Sequence, residues 1–178
     1  MSQPSASKPP DRHDPQPHDN GCVPDLTIAP DDPVAPDVRA LLSRHLQFAH
    51  EHSPPEDVHA LDSEGLRSDD VTFFSARIDG VVVGVGALRQ LNPEHAELKS
   101  MHTSASARGR GVGRAMLEHL LTVARERGCR RVSLETGTMA AFAPARSLYA
   151  SAGFVPCPPF AAYRTTPNSV CMTLMLDR

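Results

Sequence analysis

No run of about 18 consecutive apolar residues occurs in the chain, so no part of it reads as a helix crossing a bilayer, and the N-terminus lacks the apolar core of a secretory signal. A cytoplasmic location is the expectation. Positive charge is not in excess either: 18 Lys and Arg face 21 Asp and Glu, giving a formal net charge of -3. This speaks against a basic face for nucleic acid or an anionic membrane and leaves small molecules and proteins as partners. The four cysteines, Cys22, Cys129, Cys157 and Cys171, are far apart and form no Cys-x-x-Cys. A zinc site or a disulfide framework is therefore not expected, and free thiols buried as small hydrophobes are. Large apolar side chains are also nearly missing from residues 1–24, which are rich in Pro, Ser, Asp and His. Such a segment cannot bury enough surface to offset its ordering entropy, so it reads as a disordered tail. His13 and His18 fall in it and are read as solvated, with no metal site expected anywhere. Residues 25–178 remain for a single domain with a real core.

What is present is organised around Ala96 to Gly128, a strand, a glycine-rich turn and an amphipathic helix carrying Leu117, Leu120, Leu121 and Ala124. In the turn Arg108-Gly109-Arg110-Gly111-Val112-Gly113, three glycines alternate. Without Cβ atoms, successive N–H groups can converge on one point, and the helix start adds unpaired donors and a positive dipole end. An anion is expected there, with Arg108, Arg110 and Arg114 beside it. A P-loop is excluded because the turn has no lysine. A dinucleotide fingerprint fits poorly, since counting Gly-x-Gly-x-x-Gly from Gly109 puts Arg114 at the last glycine, although Glu135 lies near where a ribose-binding acid would fall.

Around this unit the elements follow in order. Leu26–Ile28 reads as a first strand, and Val38, Leu41, Leu42, Leu46 and Ala49 recur at helical spacing with Asp37 as N-cap. Ser53-Pro54-Pro55 stops that helix, and a second short one is expected over Pro55 to Leu66. His45, His50, His52, Asp57 and His59 on these helices are either pocket-lining or surface groups. Asp79-Gly80 between Val71–Ile78 and Val81–Leu88 is a hairpin signal, and an opening hairpin argues further against a dinucleotide fold. Glu97–Thr103 gives the next strand, Gly128 ends the long helix in a left-handed conformation, and Arg131–Glu135 returns parallel to Glu97–Thr103. Pro144 starts a short helix ending at Gly153, a strand begins at Phe154-Val155, and Val170–Leu176 makes the last. That terminal strand, rich in Val, Met and Leu, suggests edge-to-edge pairing as a route to a homodimer.

Two motifs carry a family resemblance. Arg108 to Gly113 fits Arg/Gln-x-x-Gly-x-Gly/Ala, and Ala145 to Phe154 fits A-x-x-L-Y-x-x-x-G-F. In this order, separated by one βα-β passage, they resemble the GNAT N-acetyltransferases over roughly Leu26 to Leu176. Ser53-Pro-Pro-Glu-x-Val-His-Ala-Leu-Asp, Leu134-Glu-Thr-Gly and Pro167-Asn-Ser-Val are similar to a bacterial subgroup without an assigned substrate. The resemblance implies an α/β fold (α+β by some schemes), with a central mixed, twisted sheet of about six to seven strands flanked by about four helices.

It also implies acetyl transfer from acetyl-CoA, as co-substrate, to an amine by direct attack in a ternary complex. A small-molecule amine is the expected acceptor. Protein or peptide N-acetylation, which would need an open groove between the first helix region and the loop Phe160 to Asn168, and a non-catalytic CoA-binding module are the alternatives. Cofactor residues implied are Met101, His102 and Thr103, which line a strand that splays from its neighbour, and Arg108, Gly109, Arg110, Gly111, Val112, Gly113 and Arg114. An alkyl ammonium with a pKa of ~10.4 must lose a proton before it attacks, so a base is needed. Glu97 matches the family's glutamate; a surface carboxylate paired with Lys99 or Arg131 is its other reading, and His102, Glu135 and water are other bases. Tyr149 matches the phenol that assists the leaving sulfur. Where many family members carry an asparagine against the pantetheine arm, this chain has Phe142, and Thr136 or the backbone near Gly137 is expected to replace that contact.

Overall fold

The computed structural model describes residues 25–57, 59 and 61–177; segment 1–24, read as a disordered tail, lies outside the described residues. Seven strands form one sheet: β1 (Leu26–Pro30), β2 (Val71–Ile78), β3 (Val81–Asn92), β4 (His95–Thr103), β5 (Arg131–Gly137), β6 (Val155–Cys157) and β7 (Ser169–Met175), in the spatial order β1-β2-β3-β4-β5-β7-β6. All neighbours are antiparallel except β4 and β5, which run parallel because a helix crosses between them. Three α-helices cover the sheet: α1 (Pro36–His52), α2 (Val112–Glu126) and α3 (Ala143–Ser151).

Local chemistry explains most boundaries. The β2–β3 hairpin turns on Asp79 and Gly80, both at positive φ (49° and 77°), as a two-residue primed turn requires. Gly128 (φ 79°) ends α2, and Pro144 lies in the first turn of α3. Two local expectations differ from the structure. Pro36 opens α1 and Asp37 lies inside its first turn, where its carboxylate accepts from the Val38 N–H (2.9 Å) and from Arg77 (2.7 Å) instead of capping. The second helix is reduced to isolated 3-10 turns at Pro55–Asp57 and Gly65–Arg67, because the Asp62 carboxylate takes the Gly65 N–H (2.8 Å) and fixes a turn there. Hence, among the described residues, three α-helices flank the sheet and not four.

Each sheet face has its own core. On one, α2 buries Met116, Leu117, Leu120, Leu121 and Ala124 against Leu98, Val132, Leu134 and Met172. A fully buried leucine of this kind contributes about 1.5–3 kcal/mol. On the other, α1 sets Val38, Leu41 and Leu42 against Phe73, Val85 and Ala87. Close approach of α2 depends on small residues in β3: a Cβ at Gly84 would lie 2.9 Å from Val112 Cγ1, and one at Gly86 3.0 Å from Met116 Cγ. That contact seats the start of α2 beside the end of β4. Terminal β7 is not an edge; it lies between β5 and β6, and the edge is the three-residue β6 with Pro156 in it. Edge pairing of the terminal strand with a second copy is thereby opposed at Cys171–Thr173, where β6 covers β7.

Candidate active site

Parallel pairing of β4 with β5 lasts for three residue pairs, His95↔Arg131, Ala96↔Val132 and Glu97↔Ser133. Beyond Glu97 the strands part. The register against β3 explains why: Ala87 faces Lys99 and Val85 faces His102, so Ser100 and Met101 together oppose Gly86. This bulge, with Ser100 at φ 52°, adds twist and turns β4 away from its neighbour. A cleft of about 510 Å³ opens in the gap.

At one end lies the glycine turn. Gly109 (φ 74°) and Gly111 (φ 84°) hold left-handed conformations, and Gly111 is the N-cap of α2. The first N–H groups of α2 have no partner within the helix, so the turn and the dipole present donors and positive potential together. Of the ten residues expected to bind the cofactor, Met101, His102, Thr103, Arg108, Gly109, Gly111, Val112, Gly113 and Arg114 line the cleft; Arg110 does not. Ser100 also borders it, and its buried Oγ has no hydrogen-bond partner. Such an orphaned donor, beside a glycine cradle, fits the amides and phosphates of a coenzyme A arm.

Tyr149, on α3, lines the same cleft and is 8% exposed. Burial, helped by the nearby Glu135 carboxylate, pushes its phenol up to about 12. Glu135, from β5 where the strands have separated, faces the cleft as well; burial raises its carboxyl to about 7, against a smaller lowering by Lys99. Glu97 is placed differently. It is 1% exposed, is absent from the cleft lining, and its Oε1 accepts a hydrogen bond from the Tyr163 hydroxyl with Lys99 Nζ 3.5 Å away. Of its two sequence readings, the pairing with Lys99 is present, but in the interior and not on the surface.

The far end of the cleft is roofed. Lys99 Nζ donates to His59 O (2.9 Å) and Tyr163 Oη (2.7 Å), and Asn168 Nδ2 donates to Asp57 Oδ2 (2.8 Å). The His59 and Tyr163 rings meet edge to face, with centroids 5.1 Å apart. The segment after α1 and the loop before β7 are thus stitched together over the sheet. Phe142 lies on the remaining side, so close over Gly137 that a Cβ there would stand 2.5 Å from its ring. Asp57, His45 and His59 line the cleft while His50 does not. Tyr163 escaped the sequence reading altogether, because a tyrosine in a proline-rich loop carries no periodic signal.

Comparisons with known proteins bear on the family and the fold. Residues 35–154 match the model of the "Acetyltransferase (GNAT) family". The chain is 48% identical over 151 residues to YsnE of Bacillus subtilis (strain 168), named an uncharacterized N-acetyltransferase, covering 85% of this chain and 100% of that one. A solved structure from Klebsiella pneumoniae, named an acyl-CoA N-acyltransferase, superposes with a TM-score of 0.70 at 28% identity, covering 85% of this chain and 98% of that one. A GNAT acetyltransferase from Elizabethkingia anophelis, solved with acetyl-CoA bound, has a TM-score of 0.63 at 16% identity, with 86% and 99% covered, and shows the shared fold.

Proposed function

Because the chain belongs to the GNAT acetyltransferase family, we propose that it transfers the acetyl group of acetyl-CoA to the amine of a small molecule, by direct attack within a ternary complex. The observation that carries this reading is the single cleft that runs from an anion-binding glycine turn, past Tyr149 and Glu135, to a roofed end. Acetyl-CoA supplies an activated thioester. The glycine turn, with Arg108 and Arg114, holds its phosphates, and the backbone of Met101 and Thr103 together with Ser100 Oγ holds the pantetheine arm.

Glu135, not Glu97, serves as the base. It reaches the cleft and its carboxyl titrates at about 7, so near neutral pH it is ionised about half the time and can accept a proton from an ammonium directly or through water. Glu97 acts behind it by keeping Lys99 and Tyr163 in place. The amine nitrogen then attacks the carbonyl carbon, and N–H groups of the bulged β4 stabilise charge on the acetyl oxygen. Tyr149, with a phenol at about 12, is a weaker acid than a thiol of ~8.5. It therefore assists the departing sulfur by donating a hydrogen bond more than by giving up its proton. Direct attack is favoured because, among the described residues, no cysteine lines the cleft to carry an acyl intermediate.

Small acceptors are favoured over polypeptides by the roof. The open groove that a peptide chain would need is crossed by the Asp57–Asn168 and Lys99–His59 bonds. The test is incubation of purified protein with labelled acetyl-CoA and cell extract, with metabolites and proteins read separately by mass spectrometry. Label in small amines, absent with Tyr149→Phe, is expected. Label confined to proteins would overturn the small-molecule reading, and label in neither fraction would favour a CoA-binding module.

A further inference from the structure

The chain has no tryptophan and only six phenylalanines and two tyrosines in 178 residues, yet two of the phenylalanines meet in the cleft among histidines. Phe48, from α1, and Phe142, before α3, meet edge to face with centroids 5.2 Å apart. His52 stacks on Phe48 at 4.4 Å, and its Nδ1 lies 2.9 Å from Phe48 O, which fixes the stack. His45 and His102 continue the group, 5.3 Å apart. Phe48, Phe142, His45 and His102 all line the cleft and are only half-buried, so part of each ring is open to an occupant. Burial holds both His45 and His102 at about 4, so these two rings are uncharged at neutral pH.

Two acidic side chains, Asp57 and Glu135, line the same cleft, and Asp57 also accepts from Asn168 Nδ2. The lysine beside them is committed: Lys99 Nζ is spent on His59 O, Tyr163 Oη and Glu97 Oε1. An acceptor carboxylate would find carboxylates and a cation already engaged, whereas an ammonium finds acidic partners. Arg108 and Arg114 lie at the glycine turn, from where the Arg108 charge also reaches the His102 ring.

From this pairing of rings with carboxylates in one cleft, we propose that the acceptor is an arylalkylamine without a carboxylate, its ring held by Phe48 and Phe142 and its ammonium by Asp57 and Glu135. The proposal rests on the reading of this cleft as a small-amine acetyltransferase site and names the acceptor's class. Ring–ring contacts in offset or edge geometry favour an aryl group over an alkyl chain of equal size. Phe48 and Phe142 are thus specificity-determining residues, and the site is preorganised for them by the His52 stack and by Gly137 beneath Phe142.

The test compares 2-phenylethylamine, its saturated counterpart 2-cyclohexylethylamine, n-butylamine and phenylalanine, in wild type, Phe48→Leu and Phe142→Leu. Thiol release gives kcat/KM, and calorimetry on the enzyme–CoA complex gives amine affinity without turnover. The wild type is expected to prefer 2-phenylethylamine over n-butylamine by about tenfold or more and over phenylalanine by a similar margin. In either variant the ratio of phenyl to cyclohexyl substrate should fall by roughly three- to tenfold. That ratio cancels any loss common to all substrates. Equal use of the phenyl and cyclohexyl amines by wild type, or an unchanged ratio in both variants, would overturn the aryl site while leaving the acetyltransferase reading intact. Selective binding of 2-phenylethylamine without thiol release would instead support the aryl site and overturn catalysis on small amines.

Discussion

As the proposed base, Glu135 would couple activity to a cost in stability. Its carboxyl is raised from about 4.5 to about 7 in the folded chain, so the folded state holds that proton more tightly than the unfolded state does. Stability is therefore fully present below about 4.5, is lost as pH rises toward 7, and is flat above. Glu135→Gln should raise unfolding free energy at pH 8 by on the order of 1–3 kcal/mol, measured by denaturant titration. The same variant should lose about 10²-fold or more in kcat, together with the limb of the kcat/KM profile that rises near pH 7. The opposite sign holds for His102. Burial lowers it to about 4, so its contribution is lost as pH falls from about 6.5 toward 4, and His102→Gln should flatten the acid side of the stability curve. Tyr163→Phe keeps the ring but leaves Glu97 and Lys99 short of a partner in the interior. A cost of about 1–3 kcal/mol is expected in thermal or chemical unfolding.

At the scale of elements, the glycine turn and the β4 bulge make the cleft. Gly111 sits at φ 84°, so Gly111→Glu adds left-handed strain and a carboxylate where an anion is expected to bind. Acetyl-CoA affinity should fall by at least about tenfold in calorimetry, and undiminished binding would remove the turn from cofactor recognition. Gly137→Ala should also be disruptive, because Phe142 would have to leave its position. These elements were readable from sequence where the determinant is local. Asp79-Gly80 dictates a hairpin, Gly128 a helix end and Pro144 a helix start, whatever surrounds them. The expected helix over Pro55 to Leu66 was not, because a side chain, Asp62, competes with the helix for a backbone N–H. Tyr163 and Glu97 are 66 residues apart. No spacing rule joins them, so the sequence offers Glu97's strand and its pairing with Lys99 but not Tyr163. The aromatic group is likewise assembled from α1, β4 and the segment before α3, three places that only the fold brings together.

On the scale of the whole molecule, the sheet order places β7 inside and leaves β1 and the short β6 as edges. Position in the sheet is a global property, which is why an apolar terminal strand alone misled about its exposure. No helix among the described residues is long and apolar enough to cross a membrane.

The three residue pairs between β4 and β5 carry one more implication. They form the only strand-to-strand seam in the described sheet between an antiparallel half, β1 to β4, and another, β5 to β7 and β6. Two antiparallel plates thus meet along a short parallel seam, and α2 packs against the β3 and β4 side of it. A ligand wedged into the gap would act as a keystone, its own amides completing the pairing that the protein leaves open. Saturation at about 100 times Kd should add about 2.7 kcal/mol of stability. Hydrogen exchange should show that gain as slower opening in β5 and the later half of β4, leaving the β2–β3 hairpin little changed.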